Sequence, residues 1–297
     1  MSKLSFAQLF KSQDSKYTLQ TAALVTAVPL AMLSLIVYSV WLLVVVNHSY
    51  FISNGFPLAD ESKEEFMLFL LSSQLDYLPY VGLFFILVFF IGLFIAYIVL
   101  RPFNQVVEMC ENSPEQSLRS YGLNNKKAMV KLGRFICEYR LAQQKNTTIT
   151  LPVEIEKAKG PMLDMIFYFQ FFLLIGTLIT FTVTSIYFFT LQLHESIVSA
   201  AVSTLKASQG MRIFLASQSD VLEVTLIIVA VFTIILYLVI SRLIISKIEG
   251  VTYGYLRDVR DVVNGQYSKR LHPRSEDPGI QASVAINKLL DQIHPRV

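Results

Sequence analysis

Residues 221–245 read VLEVTLIIVAVFTIILYLVISRLII, and that stretch decides the fold. Its only acid, Glu223, sits at one end. A helix needs roughly 20 predominantly apolar residues to cross a hydrocarbon core about 30 Å thick, and this run supplies them. Three further runs of the same kind lie at 21–46, 78–100 and 166–191. The chain is 54% hydrophobic and only 16% charged, too apolar for an ordinary soluble domain. The expectation is an all-α integral membrane protein with four transmembrane helices.

The runs come in pairs that repeat. Val37-Tyr38-Ser39-Val40-Trp41 leads to His48, and Val183-Thr184-Ser185-Ile186-Tyr187 leads to His194, an offset of 146 at both Ser and His. The exits of the second and fourth runs also match: Tyr97-Ile98-Val99-Leu100-Arg101 against Tyr237-Leu238-Val239-Ile240-Ser241-Arg242. The repeating unit is therefore a membrane hairpin plus the segment after it.

Charge gives the orientation. Of 25 Lys and Arg, only Lys63, Lys206 and Arg212 fall in the short connections 47–77 and 193–220. The other 22 lie before the first run, between 101 and 161, and from Arg242 onward. The positive-inside rule then places both termini and the middle connection in the cytoplasm, so the repeats are parallel. An inverted-repeat transporter is disfavoured. The first run is too long for a signal-peptide core and reads as an uncleaved anchor. Cys110 and Cys137 fall on the reducing side and have no metal-ligand companions at useful spacing.

The external connections offer only local signals. Asn54-Gly55-Phe56-Pro57 is a turn cluster, and Ser62 with Glu65 has the form of a capping box. The second connection reads as a short helical hairpin continuing the third span. Asp76, Asp164 and Glu223 are the acids nearest the membrane; snorkelling to water explains them more simply than an ion pathway does.

The segment after the fourth run is the most specific. Ile244, Ile248, Val251, Tyr255, Val259 and Val262 form one apolar helix face. Asn264-Gly265 ends that helix, because glycine supplies the left-handed conformation past a C-terminus. A connector with Tyr267 and Leu271 follows, then a second amphipathic helix carrying Ala282, Ile286, Leu289 and Ile293. Such a unit buries its stripes only by packing with another pair.

This arrangement resembles the HAMP domain, the juxtamembrane relay of bacterial receptors and sensor kinases. The resemblance rests on Gly265-Gln266-Tyr267 at the connector start, Leu271 as its hydrophobe, Arg274 and Glu276-Asp277 before the second helix, and Ile286-Asn287-x-Leu289 within it, over 243–293. The first tail is similar to a degenerate copy. Arg101-Pro102-Phe103 matches the membrane exit, and Met129, Leu132, Ile136 and Tyr139 give a second helix. It lacks the glycine-led connector, and Cys137 follows Ile136 where the family has Asn. The resemblance implies a parallel four-helix bundle, usually built from two chains. One chain with two such units can supply all four helices as an intramolecular pseudodimer, or a homo-oligomer can form.

The resulting organisation is a cytoplasmic lead (1–19), a first transmembrane hairpin (20–100), a degenerate HAMP-like pair (101–145), an extended linker (146–161), a second hairpin (162–242) and a HAMP-like unit (243–297). The resemblance implies a relay set in which Gly265, Leu271 and Asn287 fix connector geometry. Arg101, Pro102 and Arg242 anchor the exits, and Glu276 and Asp277 couple the exit helix to the connector. His48 and His194, at matching repeat positions, form a candidate external pH- or metal-sensing pair; interface histidines left by duplication are the plainer alternative.

No phosphate-binding loop, paired-carboxylate site or nucleophile set is visible, and no output module follows before Val297. No enzyme activity, cofactor or resident metal is expected. The partners expected are membrane lipid and another membrane or cytoplasmic protein, with no nucleic acid. The leading expectation is a relay or adaptor of a bacterial inner membrane. The alternative is a structural accessory of a motility or secretion machine, and a small transporter comes third.

Overall fold

The computed structural model describes residues 14–53, 77–113, 128–145, 147, 151–156, 165–204 and 209–294. Every regular element among them is a helix. In chain order these are α1 (Ser15–Ser53), α2 (Leu78–Glu111), α3 (Ala128–Gln144), α4 (Val153–Glu156), α5 (Met165–Thr204), α6 (Gln209–Val263) and α7 (Ile280–Ile293). Four of them, α1, α2, α5 and α6, are long and apolar enough to cross a membrane. The described residues are thus all-helical, with the four long apolar helices of a multi-pass membrane protein. The turn at 54–57, the capping-box segment, Asp76, Asp164 and the side chain of His48 lie outside the described residues.

The helices outrun their apolar windows. α2 passes through Arg101-Pro102 without breaking and ends only at Glu111. α6 continues from its apolar run to Val263 as one helix of 55 residues. Proline at 102 is tolerated because packing holds the turns around it: Pro102 is buried and Phe103 is fully enclosed. α5 continues to Thr204, and α6 begins at Gln209.

The described chain divides into two compact units. One comprises 23–91 and 175–240. Its core joins Met32, Ile36 and Val40 of α1, Ile186 and Leu193 of α5, and Leu222, Leu226 and Val229 of α6. Buried polar groups there are paired. The Tyr237 hydroxyl lies 3.3 Å from Thr182 Oγ1 and donates to the Val25 carbonyl at 3.3 Å, which removes the cost of an unmet hydroxyl in an apolar setting. Phe84 meets Phe181 with ring centroids 5.6 Å apart. Phe85 packs beside Phe84, while Phe90 turns outward.

The other unit comprises 1–22, 92–174 and 241–297. It holds the segments after both hairpins, with the start of α1. Gly92 fixes how α1 and α2 meet: a Cβ at this position would lie 2.7 Å from Ala22 Cα, so only glycine allows the two backbones this close. A Cβ at Gly82, the other glycine of that span, would meet nothing within 4 Å. Phe167 and Phe171 are buried in this unit, whereas Phe169 and Phe172 are exposed, so the aromatic run at the start of α5 has one packed and one open side.

Candidate functional site

The candidate site is the helical assembly in the second of these units. Its construction begins at the end of α6. Gly265 has φ +104°, its N–H donates to the Val262 carbonyl, and the Gln266 N–H reaches back to the Asp261 carbonyl. This pair of bonds is a Schellman motif, and it satisfies carbonyls that the helix end leaves open. The chain then turns back along α6. Lys269 forms ion pairs with Asp261 and, at 3.3 Å, with Asp258, fastening the connector to the helix it has just left. The Asp261 carboxylate beside Lys269 holds that ammonium above its ordinary pKa.

Two residues lock the connector onto α7. Asn287 meets the Leu271 backbone from both sides: its amide NH₂ donates to the Leu271 carbonyl at 2.9 Å, and its amide oxygen accepts the Leu271 N–H at 2.9 Å. The Leu271 side chain is buried. Arg270, 3% exposed, is a cation enclosed by acceptors. Its guanidinium donates to Asp291 and to the carbonyls of Tyr267, Lys269 and His294, at 2.6 to 2.8 Å. A buried charge is tolerable only with this degree of pairing, and the position also suits a cation at a helix C-terminus.

The contacts give the direction of α7. Near its start, the Tyr255 hydroxyl donates to the Gly279 carbonyl at 2.9 Å. At its other end, the His294 ring stacks on Tyr267, centroids 4.1 Å apart. Early α7 thus meets α6 about two turns before its end, and late α7 meets the residues just past α6, so the two helices run parallel. The first tail behaves in the same way. Gly133 of α3 lies against Val106 and Met109 of α2, and the Cys137 thiol donates to the Met109 carbonyl at 3.4 Å. Later α3 follows later α2, again parallel.

The registers match. Met109 and Cys137 are 28 apart. Tyr255 meets the side chain of Ser283, also 28 on, and both members lie 146 past their counterparts in the first tail. Gly133 and Gly279 keep the same 146, although a Cβ on Gly133 would meet Met109 and Val106 of its own tail and one on Gly279 would meet Phe103 of the other. This is the offset of the Ser39/Ser185 and His48/His194 pairs; the Arg101/Arg242 match is shorter, at 141.

The two tails also touch each other. The Phe103 and Tyr255 rings meet edge to face at 6.2 Å, and a Cβ on Gly279 would lie 2.2 Å from Phe103 Cδ1. At the far end the Tyr139 hydroxyl lies 2.8 Å from His294 Nε2. Burial, reinforced by Arg270, lowers the His294 pKa, and burial raises that of Tyr139. Cys137 sits in a small apolar cluster with Met109 and Val130, where burial pushes its thiol up to about 11.

The remaining sequence-derived residues take separate places. Arg101 and Arg242 are exposed. Asp277 accepts the Arg274 N–H within the connector. Glu276 pairs with Lys16 of α1 at 3.2 Å, and that ammonium, then Lys247 of α6, holds its carboxyl below the usual range. His194 is half-buried on α5, in the other unit.

Sequence reasoning missed Asp14, Phe103 as a cross-tail contact, Arg270 and His294. Asp14 is the most consequential. It precedes α1, where aspartate normally caps its own helix. Its carboxylate instead accepts the N–H groups of Gly279 at 3.0 Å and Ile280 at 2.8 Å, at the start of α7. The only hint in the sequence is that α7 has no acid in its first turn and a glycine at its cap.

Comparison with models of known protein families, with curated protein sequences and with solved structures returned no match.

Proposed function

We propose that the protein is a relay or adaptor of a bacterial inner membrane, with both termini cytoplasmic and no catalytic output of its own. Tandem HAMP-like units, one from each half of the chain, pack as a single four-helix bundle and pass a change in the spans to a separate protein. The observation that carries this reading is the pairing of two parallel helix pairs in one compact unit, joined through Phe103–Tyr255 at one level and Tyr139–His294 at another. The Asn287–Leu271 clasp supports the HAMP likeness, because it fixes the connector where the resemblance places the family's asparagine. The shared 146 offset supports duplication as its origin. Packed helical cores tend to have discrete arrangements and so suit transmission.

The test uses the full chain in native membranes, with Tyr139→Cys and His294→Cys introduced and Cys110 and Cys137 replaced by Ser. A short bifunctional maleimide should join the two positions within one chain, at a rate that changes when co-purifying proteins are removed. A rate that never changes would favour the structural-accessory reading, in which the tails are fixed docking surfaces.

A further inference from the structure

α7 lacks a cap of its own. Its cap position is Gly279, at φ +83°, which offers no side-chain acceptor. The acceptor comes from Asp14, 2% exposed, whose Oδ1 takes both the Gly279 and Ile280 N–H groups. Gly279 is thereby held by three other segments. Asp14, immediately before α1, binds its N–H, Tyr255 of α6 binds its carbonyl, and the Phe103 ring of α2 occupies the space where a side chain would stand. Lys16 and Glu276 form an exposed ion pair that reinforces the same attachment.

We propose that Asp14 is a releasable latch: the N-terminal end of α1 holds α7 in one of two positions, and withdrawal of the carboxylate frees α7 to repack. This inference rests on the relay reading and names the contact through which the first span acts. Two features support it. α1 continues as one helix from Ser15 to Ser53, with Pro29 inside it, so the latch end is continuous with the first span. Both latch bonds end on one oxygen, at the ordinary lengths of 3.0 and 2.8 Å, and an N–H···O separation of about 3.6 Å is no longer a hydrogen bond, so a shift of roughly 1 Å breaks them together. Once released, the first N–H groups of α7 have no local acceptor to replace the lost one.

The experiment is hydrogen–deuterium exchange on the full chain in lipid nanodiscs, alongside the Tyr139→Cys/His294→Cys crosslinking rate, for wild type, Asp14→Ala and Asp14→Asn. Asp14→Ala should speed exchange over 280–290 by roughly tenfold, the size expected for a lost cap. It should also change the crosslinking rate. Asp14→Asn keeps an oxygen acceptor and should stay near wild type, which separates loss of the latch from general misfolding. Unchanged exchange over α7 in Asp14→Ala would overturn the proposal. So would faster exchange with an unaltered crosslinking rate, since Asp14 would then be a static cap while the bundle stands. Absence of any intrachain crosslink in the wild-type background would instead remove the relay reading itself.

Discussion

At the scale of single residues, the assembly depends on a few side chains that complete backbone hydrogen bonding between segments. Asn287 is the clearest. Replacing it by alanine leaves the Leu271 N–H and carbonyl without partners, and losses of this kind cost about 1–3 kcal/mol each when the group stays buried. Thermal unfolding in detergent should show a lower Tm for Asn287→Ala, and an unchanged Tm would contradict the clasp. His294 sets an acid limit. Its folded pKa lies below the ordinary 6.5, so the unfolded chain takes up the proton first and stability falls as pH drops from 6.5 through the lowered value. Denaturation midpoints measured across that window should fall for wild type and flatten for His294→Gln. Cys137, with its thiol raised to about 11, should resist thiol reagents at neutral pH until the protein unfolds.

At the scale of elements, the spans were legible because length and hydropathy alone define them. The apolar stripes of α6 and α7 were legible for the same kind of reason: helical spacing of Val251, Tyr255, Val259 and of Ala282, Ile286, Leu289 marks the buried face, and all six are buried. The end of α6 followed from Asn264-Gly265, since the left-handed φ there needs glycine. Gly265→Ala should destabilise the protein by about 1 kcal/mol, the cost of a left-handed non-glycine residue, read as a shift in denaturant midpoint with unchanged slope. Gly92→Val should be far more damaging, because its side chain would meet the Ala22 backbone; reduced yield of folded protein on size exclusion is the expected result. What the sequence did not disclose was pairing across long separations. Asp14 reads as a cap for the helix beside it, and nothing local says that its carboxylate serves an N-terminus 265 residues away. Arg270 likewise reads as one basic residue among several. Only the fold reveals that it closes the C-terminal end of α7.

At the scale of the whole molecule, the central claim is that one chain supplies both halves of a bundle that HAMP resemblance would assign to two. The contacts between the tails, Phe103 with Tyr255 and Tyr139 with His294, are made within a single chain. A dimer of chains can reproduce such contacts only by exchanging tails between copies. The decisive measurement is a mixed-copy crosslink. Two differently tagged copies are co-expressed in a background with Cys110 and Cys137 replaced by Ser, one carrying only Tyr139→Cys and the other only His294→Cys, beside a chain that carries both. Joining should be efficient within the doubly substituted chain and absent between the tagged copies. Joining between the copies at a comparable rate would contradict the central claim and make a homo-oligomer the functional unit.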